Sequence, residues 1–522
     1  MLPSKRLLSC LILSSILTGP AVAGNYDLVI QNGRVIDPET NLDAIRNVGI
    51  KGDKIAEISE FELTGDKIID AEGHVVAPGF IDLHAHGQSL PDHRVQAMQG
   101  VTTVLELESG ILPIADWYES QAKKPLPLNY GASAGWTFAR IAAFSGKGPV
   151  ADLTYFQAAQ GQSEWKNNIA IPPTLVKVLE LTEQGLMQGG LGIGINAGYA
   201  PGNGHKEYFA LAELAKKYDV PTYTHVRYNS VIEPNGSFEA VQELIGNAMV
   251  TDAAMHLCHI NSTALKDTDA VWGLFEKAVD KGANISVETY PYGASMTVIG
   301  AAMFSAPNFN DFGGTTYSSF QIGKERLTKE TFTQIRKEAP GSLVVVHFLD
   351  EEKPQDLAKL DRSVLSPLAL IASDSVPLQI KVDGKYTTYS GDEWPLPEGI
   401  FTHPRSTGTF AKILRSYVRE RELLTLNEAI EKMSLMPAQR MDFVPQMRQK
   451  GRLQVGMDAD IVVFDPLTIA DNSDYQNPAR TATGVSATIV NGVPVVENGQ
   501  LVTDAAPGRG IRGTDMSLSL KQ

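Results

Sequence analysis

The sequence predicts an α/β protein in which a (β/α)₈ barrel is joined to a small β-sandwich built from both chain ends. The middle of the chain alternates short apolar segments with helical segments. Eight such units within roughly 300 residues are typical of a barrel of parallel strands. Both ends instead alternate apolar and polar residues between Asn-Gly and Gly-Asp turn signals, as hairpins do. From pattern alone, an open doubly wound sheet is the alternative to the barrel.

The first predicted element is a secretory signal peptide at residues 1–23. Lys5 and Arg6 precede a mostly apolar run, and small residues at 21–23 provide a cleavage site. The apolar run is short for a membrane span, so we expect no stable membrane insertion, with an N-terminal anchor as the alternative. The expected location is therefore periplasmic or secreted.

The predicted domains follow from a change in sequence pattern along the chain, from the alternating apolar and polar residues of the two ends to the alternating strand and helix segments of the middle. Residues 24–78 form the first part of the β-sandwich, and residues 448–522 form its second part with a C-terminal tail. Residues 79–447 form the barrel. Its segment at about 296–366 is too long for one connection and contains the strand-like "LVVVHFLD", so we expect an insertion that covers the barrel mouth.

The barrel strands are predicted where short apolar runs end in polar residues. In chain order they are GFIDLHAH (79–86), VTTVLELE (101–108), LNYGASAGW (128–136), LGIGINAGY (191–199), PTYTHVR (221–227), AMHLCHIN (254–261), NISVETYPY (284–292) and LALIASDS (368–375). Helical segments such as EYFALAELAKKYD (207–219) lie between them.

Composition narrows the class of function. The chain has 522 residues, 43% hydrophobic and 20% charged, which is ordinary for a soluble enzyme. Its net charge of −15 argues against nucleic acid as a partner. Cleavage of the signal peptide would leave Cys258 as the single cysteine, so no internal disulfide is expected. A small-molecule substrate is the expected partner, and a homo-oligomer remains open.

Side chains with metal-binding chemistry recur at the C-terminal ends of these strands, where a barrel gathers its functional groups. They are His84, His86, Glu106, Glu108, His225, His259 and Asp374. His84 and His86 are two residues apart in a strand, so both point the same way and one metal ion can bind both. Histidine and carboxylate are ligands that Zn²⁺ prefers.

Some assignments within this set are alternatives. Glu106 and Glu108 share one strand face, and we favour Glu108 as the ligand because it lies nearer the mouth; a buried Glu106 would need a partner. His225 and His259 taken singly could be core residues, and Asp374 could cap a helix.

The remaining histidines are expected to be structural. His74 and His93 are predicted in connections, His256 to face away from His259, and His347 to pack in the core. His205 and His403 are predicted in loops, with structural or supporting roles.

This set of side chains favours metal-assisted hydrolysis of an amide or a related bond. A divalent ion polarises a carbonyl and lowers the pKa of bound water. Asp374 can accept the water's proton as general base and pass it to the leaving nitrogen. The sequence contains no Ser–His nucleophile signature, P-loop or dinucleotide-binding fingerprint that would favour another chemistry.

With these residues assembled, the chain resembles the amidohydrolase superfamily. "PGFIDLHAH", "GVTT" and "GRLQVGMDADIVVFDP" carry that resemblance. Four further segments resemble the N-acyl-D-amino-acid deacylases, or D-aminoacylases: "NAGYAPG", "ETYPYGAS", "HPRSTGTFAKILRSYVRE" and "LTLNEAIEKMSLMPAQRM". The resemblance implies one or two Zn²⁺ ions and cleavage of the acyl–nitrogen bond of N-acylated D-amino acids.

The resemblance also implies roles for individual residues. It makes His84, His86, His225 and His259 metal ligands and Asp374 the catalytic base. The predicted set of metal ligands also contains Asp374 and Glu108, the latter favoured for its position nearer the mouth. Arg405 matches an arginine that holds the substrate carboxylate, for which a guanidinium is well suited. The other implied substrate-binding residues are Tyr292, Tyr199 and Arg227.

Three departures from the family pattern leave the substrate side chain open. Ser109 stands where D-aminoacylases have a cysteine ligand, so Glu108 beside it is expected to bridge two ions. Asn261 stands where a lysine would assist carboxylate binding, and Trp136 stands where a histidine is common.

Two other functions remain alternatives. One is a cyclic-amide hydrolase of the dihydroorotase or hydantoinase kind, although strand four has no lysine to carboxylate. The other is a non-catalytic relative that uses the barrel for binding, although such a protein should have lost ligands.

Overall fold

The computed structural model describes residues 26–305 and 314–514. The predicted signal peptide at residues 1–23 lies outside these described residues. Within them, no helix is both long enough and apolar enough to cross a membrane.

All eight predicted barrel strands are present and pair in parallel in the order of the chain. They are Phe80–Asp82, Val101–Ile111, Asn129–Gly135, Ile193–Asn196, Thr222–His225, Met255–Leu257, Ile285–Thr289 and Ala369–Ile371. The sheet is enclosed by helices, which explains why its strands are near-continuous apolar runs. The prediction of a barrel is confirmed.

Backbone hydrogen bonds just beyond the first and eighth strands close the barrel. The amide of His86 donates to the carbonyl of Ser375 at 2.8 Å, and the amide of Ser375 donates to the carbonyl of His84 at 3.2 Å. The closure brings the segment with His84 and His86 beside the segment with Asp374.

Amphipathic helices lie between strands of the barrel and bury an apolar stripe each. Helix His205–Lys217 buries Tyr208, Leu211, Ala212 and Ala215, the i, i+3, i+4, i+7 spacing of an amphipathic helix. The α-helices are Leu90–Ala97, Ile114–Gln121, Trp136–Ser145, Leu153–Ala158, Glu164–Asn167, Pro172–Met187, His205–Lys217, Ser237–Thr251, Ile260–Ala264, Thr268–Asp280, Lys329–Glu338, Pro354–Leu365, Pro404–Lys412, Leu426–Met433 and Leu435–Arg440.

Shorter helical turns complete the helical structure. The 3₁₀ turns are Ala159–Gly161, Ala197–Tyr199, Ala302–Phe304, Tyr317–Ser319 and Met447–Gln449, and Ile413–Glu420 is a π-helix. His93, predicted in a connection, instead lies buried within helix Leu90–Ala97.

Strands from both chain ends form one nine-stranded sheet, as the alternating ends predicted. Its two halves meet where Val75–Pro78 pairs antiparallel with Ile461–Phe464. The strands are Tyr26–Asp37, Leu42–Lys51, Lys54–Ser59, Gly65–Asp70, Val75–Pro78, Ile461–Phe464, Val485–Val490, Val493–Glu497 and Gln500–Leu501.

The insertion between the seventh and eighth barrel strands builds a sheet of its own. Its four strands are Ala294–Val298, Phe320–Ile322, Glu325–Arg326 and Leu343–His347. A separate hairpin, Gln379–Val382 with Lys385–Thr388, follows the eighth strand. Met296, Val298, Met303 and Leu343 line the cavity at the barrel mouth. Residues of the insertion therefore form part of the wall of this cavity.

Candidate metal centre

His84 and His86 turn their Nε2 atoms toward each other at the end of the first strand, 3.2 Å apart. Behind them, the Nδ1 atom of each ring bonds a buried carboxylate. Glu288 binds His84, and Glu106 binds His86 at 2.8 Å. An ionised carboxylate only accepts hydrogen bonds, so each Nδ1 carries a proton and each Nε2 is left to act as ligand.

Glu106 and Glu108 have different partners, as the sequence argument required. Glu106 bonds His86 and also accepts the amide of Ser109 at 3.1 Å. Glu108 points into the cavity, with Oε2 at 3.4 Å from His84 Nε2 and 3.5 Å from His86 Nε2. Glu108 is thus the carboxylate that lies among the histidines, and Glu106 is a buried carboxylate that pairs with His86.

His225 and His259 approach the other oxygen of Glu108. His225 Nδ1 lies 3.2 Å and His259 Nε2 lies 2.8 Å from Glu108 Oε1. One carboxylate therefore lies between two pairs of imidazoles; these five residues are called the histidine–glutamate centre below. Asn196 donates to Glu108 Oε2 at 2.8 Å and fixes the carboxylate plane.

The electrostatics of the centre suit cations. Burial disfavours the charged form of His86, yet the charge of Glu106 and a hydrogen bond that His86 donates to Asp374 raise its pKa to about 10. Burial likewise opposes ionisation of Glu108, but the surrounding histidines, His84 first, hold its pKa well below the usual range. Nitrogen and carboxylate donors converging on one buried point form the donor set of a zinc site, and the shared Glu108 fits a pair of ions.

Asp374 follows the eighth barrel strand and lies beside His84 and His86, which follow the first strand. Its Oδ1 lies 3.4 Å from the Nε2 atoms of both His84 and His86, and 3.0 Å from a guanidinium nitrogen of Arg405. Burial raises the pKa of Asp374, but Arg405 and then His84 outweigh it, so the net pKa is lowered. Asp374 is therefore an ionised carboxylate at the edge of the centre.

Two of these residues have strained backbone. His259 has φ of 32° and Asp374 has φ of 52°, in the left-handed region that residues other than glycine seldom adopt. Such conformations persist where the surrounding structure enforces them, and they concentrate at functional sites.

Arg405 is completely buried and begins helix Pro404–Lys412. Its amide donates to Nδ1 of His403 at 3.0 Å, which gives His403 the supporting role that the sequence left open. Besides Asp374, its side chain bonds the carbonyl of Met296 at 3.3 Å. The Nε and Nη1 atoms are buried without a hydrogen-bond partner among the described residues.

Of the other predicted substrate-binding residues, only Tyr199 lines the central cavity. Its hydroxyl bonds Thr297 at 2.6 Å, and its ring lies 4.9 Å from that of His225. Tyr292 instead lines a second cavity, with Lys412 4.0 Å above its ring.

Arg227 also lies away from the central cavity. Its guanidinium forms two hydrogen bonds of 2.9 Å with Glu243. The structure thus corrects the placement of Tyr292 and Arg227. Both side chains bond partners outside the central cavity: Tyr292 donates to the carbonyl of Pro404, and Arg227 pairs with Glu243.

Sequence reasoning missed the residues that support the ligands. Glu288 is the most important, and it ends the apolar run "NISVE", the same signal that identified the other strand ends. His256 contacts Glu288 Oε2 at 3.0 Å and so continues the chain of hydrogen bonds behind His84. Asn229 bonds Nε2 of His225 at 3.0 Å.

The remaining histidines lie outside the centre. His205 is exposed and pairs with Glu243 at 2.6 Å. His347 is half-buried, bonds Gln321 at 3.1 Å and lines the second cavity, so it is not simply a core residue. His74 lies in a turn and bonds the carbonyl of Glu72.

The three departures from the family pattern are each accounted for by contacts. Ser109 lines the central cavity beside Glu108. Asn261 is used structurally, with its amide donating to the carbonyls of Tyr290 and Tyr292. Trp136 is buried and donates to a glutamate on helix His205–Lys217 at 2.8 Å.

Comparison with known proteins gives consistent matches. A family model described as "Amidohydrolase family" matches residues 67–142 and 189–496. N-acyl-D-glutamate deacylase of Alcaligenes xylosoxydans xylosoxydans is 28% identical, covering 93% of this chain and 96% of that protein. D-aminoacylase of the same organism is 26% identical, covering 93% and 97%.

A solved structure extends the match to the fold. N-acyl-D-glutamate deacylase from Bordetella bronchiseptica, complexed with zinc and a phosphonate inhibitor that mimics the tetrahedral intermediate, aligns with a TM-score of 0.73 at 22% identity. The alignment covers 94% of this chain and 100% of that one. The predicted combination of barrel and terminal β-structure is confirmed.

Proposed function

This chain belongs to the amidohydrolase family, and from that membership and the histidine–glutamate centre we propose that it is a zinc-dependent hydrolase of N-acylated D-amino acids. The observation that carries the proposal is the position of Glu108 between two pairs of histidines, with ionised Asp374 beside the first pair. The similar deacylases, which span nearly the whole chain, support a linear amide as substrate.

The five residues of the centre are proposed to hold two ions that share Glu108. His84, His86 and Glu108 would hold one ion, and Glu108, His225 and His259 would hold the other. Zinc is the natural choice because imidazole and carboxylate suit it, and because the Bordetella deacylase was solved with zinc. A bound Zn²⁺ polarises the substrate carbonyl and lowers the pKa of a coordinated water.

Asp374 is the proposed general base and a ligand to the first ion. Its lowered pKa means that it is ionised and able to accept a proton at neutral pH. The position of its Oδ1 atom, 3.4 Å from Nε2 of both His84 and His86, supports this role, because these histidines are proposed to hold the first ion. The proton taken by Asp374 can then be delivered to the leaving nitrogen.

Arg405 is proposed to act on both Asp374 and the substrate. Its ion pair keeps Asp374 ionised, while its unpartnered Nε and Nη1 donors are suited to the α-carboxylate of the substrate. Tyr199, on the wall of the cavity, would contact the substrate beside His225.

The cyclic-amide alternative requires a lysine that could be carboxylated at the fourth strand. Asn196 ends that strand, and it already donates its amide to Glu108. Among the described residues that line the cavity there is no lysine. These observations favour the linear amide.

The test is an assay of purified, zinc-loaded protein against paired N-acetyl-D- and N-acetyl-L-amino acids and a hydantoin. We expect free amino acid from the D series only, with a metal content near two zinc ions per chain. Ring opening of the hydantoin would instead support the cyclic-amide alternative. Absence of turnover on every compound would refute the proposed activity.

We further propose that the protein works in the periplasm or outside the cell after removal of residues 1–23. The charged and apolar pattern of that segment supports the proposal. Fractionation of expressing cells, with N-terminal sequencing of the product, should show a chain that begins at Gly24. A cytoplasmic chain that retains its first residues would contradict it.

A further inference from the structure

A third cavity, of about 280 Å³, lies between residues 160–167 and the insertion, separate from the central cavity and the second cavity. It is much larger than the roughly 30 Å³ share of one water molecule in the liquid, so an ion of several atoms fits. Its polar lining side chains include Gln160, Ser163, Lys166, Ser305, Arg336 and Lys337. Within the described part of the chain no carboxylate lines this cavity, which is called the cationic cavity below.

Lys166 carries a positive charge into the interior. Its side chain belongs to a residue that is only 7% exposed, and its ammonium donates to the carbonyls of Gln160 and Gly300, the second at 3.1 Å. An ammonium has three donors, so one of them remains available. Burial, and next the charge of Arg336, lowers the pKa of Lys166 to about 8, which leaves the group mostly protonated at neutral pH.

Arg336 brings a second charge to the same place from the last turn of helix Lys329–Glu338. Its guanidinium donates to the carbonyls of Ile299 and Ala301, the second at 3.0 Å, and to Ser305 Oγ at 2.9 Å. Lys166 and Arg336 therefore bond three consecutive carbonyls, at 299–301. Burial lowers the pKa of Arg336 too, and no described carboxylate raises the pKa of either cation.

This arrangement lacks a negative charge. Two neighbouring cations removed from water without a counter-charge are unfavourable, because each loses hydration and repels the other. The carbonyls that they bond satisfy donors but carry only partial charges. The chain as a whole has a net charge of −15, so the positive charge here reflects the placement of these particular residues. An anion in the cavity would supply the missing charge.

Gln160 indicates which anion fits. Its side-chain nitrogen donates to the carbonyl of Phe156 at 3.3 Å, whereas its Oε1 atom is buried without a hydrogen-bond partner among the described residues. This oxygen can only accept, so it suits an anion that also carries a proton. Inorganic phosphate keeps a P–OH group at neutral pH. Sulfate has no proton there, and a phosphate monoester, with a second pKa near 6, has mostly lost its own.

We propose that the cationic cavity binds inorganic phosphate, held by Lys166 and Arg336 and donating its hydroxyl to Gln160 Oε1. A guanidinium matches phosphate oxygens in a planar fork, and an ammonium binds them as a point charge. The bound ion would join residues 160–167 to the insertion, whose turn Ala302–Phe304 contributes Ala302 to this cavity and Met303 to the central one. The site does not depend on the proposed hydrolase activity.

The first test is calorimetric titration of zinc-loaded protein, freed of excess zinc, with phosphate, sulfate and methyl phosphate at pH 7.5 and constant ionic strength. We expect saturable binding of phosphate, about tenfold tighter than that of either other anion, because these leave the buried Gln160 acceptor unpaired. Absence of phosphate binding, or equal affinity for sulfate, would overturn the inference. Tighter binding of methyl phosphate would also overturn it, because the ligand would then be an organic phosphate.

The second test locates the bound phosphate with two variants. Lys166→Gln removes the charge and keeps a donor for a carbonyl. Ser305→Asp places a carboxylate beside Arg336 at an exposed position, where the fold is not at risk. Each should weaken phosphate binding at least about tenfold, the value of one hydrogen bond to a charged group.

Lys329→Gln is the matched control, because it removes an exposed cation from the first turn of the helix that carries Arg336 and should leave phosphate affinity unchanged. Unchanged affinity in a folded Ser305→Asp or Lys166→Gln protein would mean that phosphate binds elsewhere, the metal centre included. That result would overturn the inference.

Discussion

Glu288 provides the sharpest test of how the centre is built. Its two oxygens bond His84 Nδ1 and His256 Nε2, the second at 3.0 Å, and its side chain is 2% exposed. The Glu288→Gln variant keeps the size of the side chain but removes its charge. The amide nitrogen of Gln is a hydrogen-bond donor and cannot accept the proton on His84 Nδ1. When this nitrogen faces His84, the hydrogen bond is lost and the ring of His84 is no longer held in one orientation.

The expected loss can be estimated from the bonds involved. A hydrogen bond to a charged group contributes about 1.5–3 kcal/mol, and removal of such a support from a metal-ligating histidine weakens metal affinity by roughly 10- to 100-fold. The two figures agree, since tenfold corresponds to about 1.4 kcal/mol. The loss should fall mainly on the ion held by His84 and His86, because Glu288 bonds the ring of His84, whereas it contacts His259 only through a hydrogen bond from the backbone amide, at 3.4 Å.

Zinc content after dialysis against a competing chelator of known affinity measures the effect, without any need for turnover. We expect one ion per chain to be lost more easily in Glu288→Gln, while the other is retained. Glu119→Gln is the matched control, since that side chain is 72% exposed and only pairs with Lys123. Wild-type affinity and stoichiometry in a folded Glu288→Gln protein would refute the reasoning.

Three further predictions concern the base, a buried ion pair and a buried histidine. Asp374→Asn should reduce kcat by at least about 100-fold while metal analysis still finds most of the zinc; retained activity would mean that the base is misassigned. Glu207→Ala should leave buried Arg140, whose Nη1 atom lies 2.5 Å from the Glu207 carboxylate, without a counter-charge. We expect the free energy of unfolding, measured in urea, to fall by about 3–5 kcal/mol, and a loss below about 1 kcal/mol would contradict the prediction. Burial lowers the pKa of His93 to about 3, with a minor contribution from Lys124. In the unfolded chain the pKa is about 6.5, so the unfolded chain binds a proton at His93 more readily than the folded chain. Stability supplied by neutral His93 is thus complete above pH 6.5 and falls as pH drops, by about 2 kcal/mol at pH 5. His93→Met should remove that part of the acid sensitivity in urea titrations at pH 7.5 and pH 5, and an unchanged pH dependence would contradict it.

Local pattern was sufficient for the elements of the barrel. Each strand reads as a short apolar run, and each run ends at a residue suited to the mouth. The period of two in a strand placed His84 and His86 on one side, and the same period placed Glu106 and Glu108 together. These predictions succeeded because strand geometry depends on neighbouring residues alone.

Two residues that follow strands were not placed correctly in this way. Tyr292 and Arg227 follow their strands by a few residues, where the chain leaves the sheet, and each turns to partners in another part of the molecule.

The sequence by itself therefore determined which strands form, which faces point inward and which chemistry gathers at the mouth, because these depend on the local period of apolar and polar residues. Only the tertiary structure decided that Glu108 lies between two pairs of histidines, that Glu288 and Glu106 stand behind the first pair, and that Arg405 reaches Asp374. Those contacts join residues distant in the chain. They exist because barrel closure brings strand ends to one place, where each buried charge must find a partner.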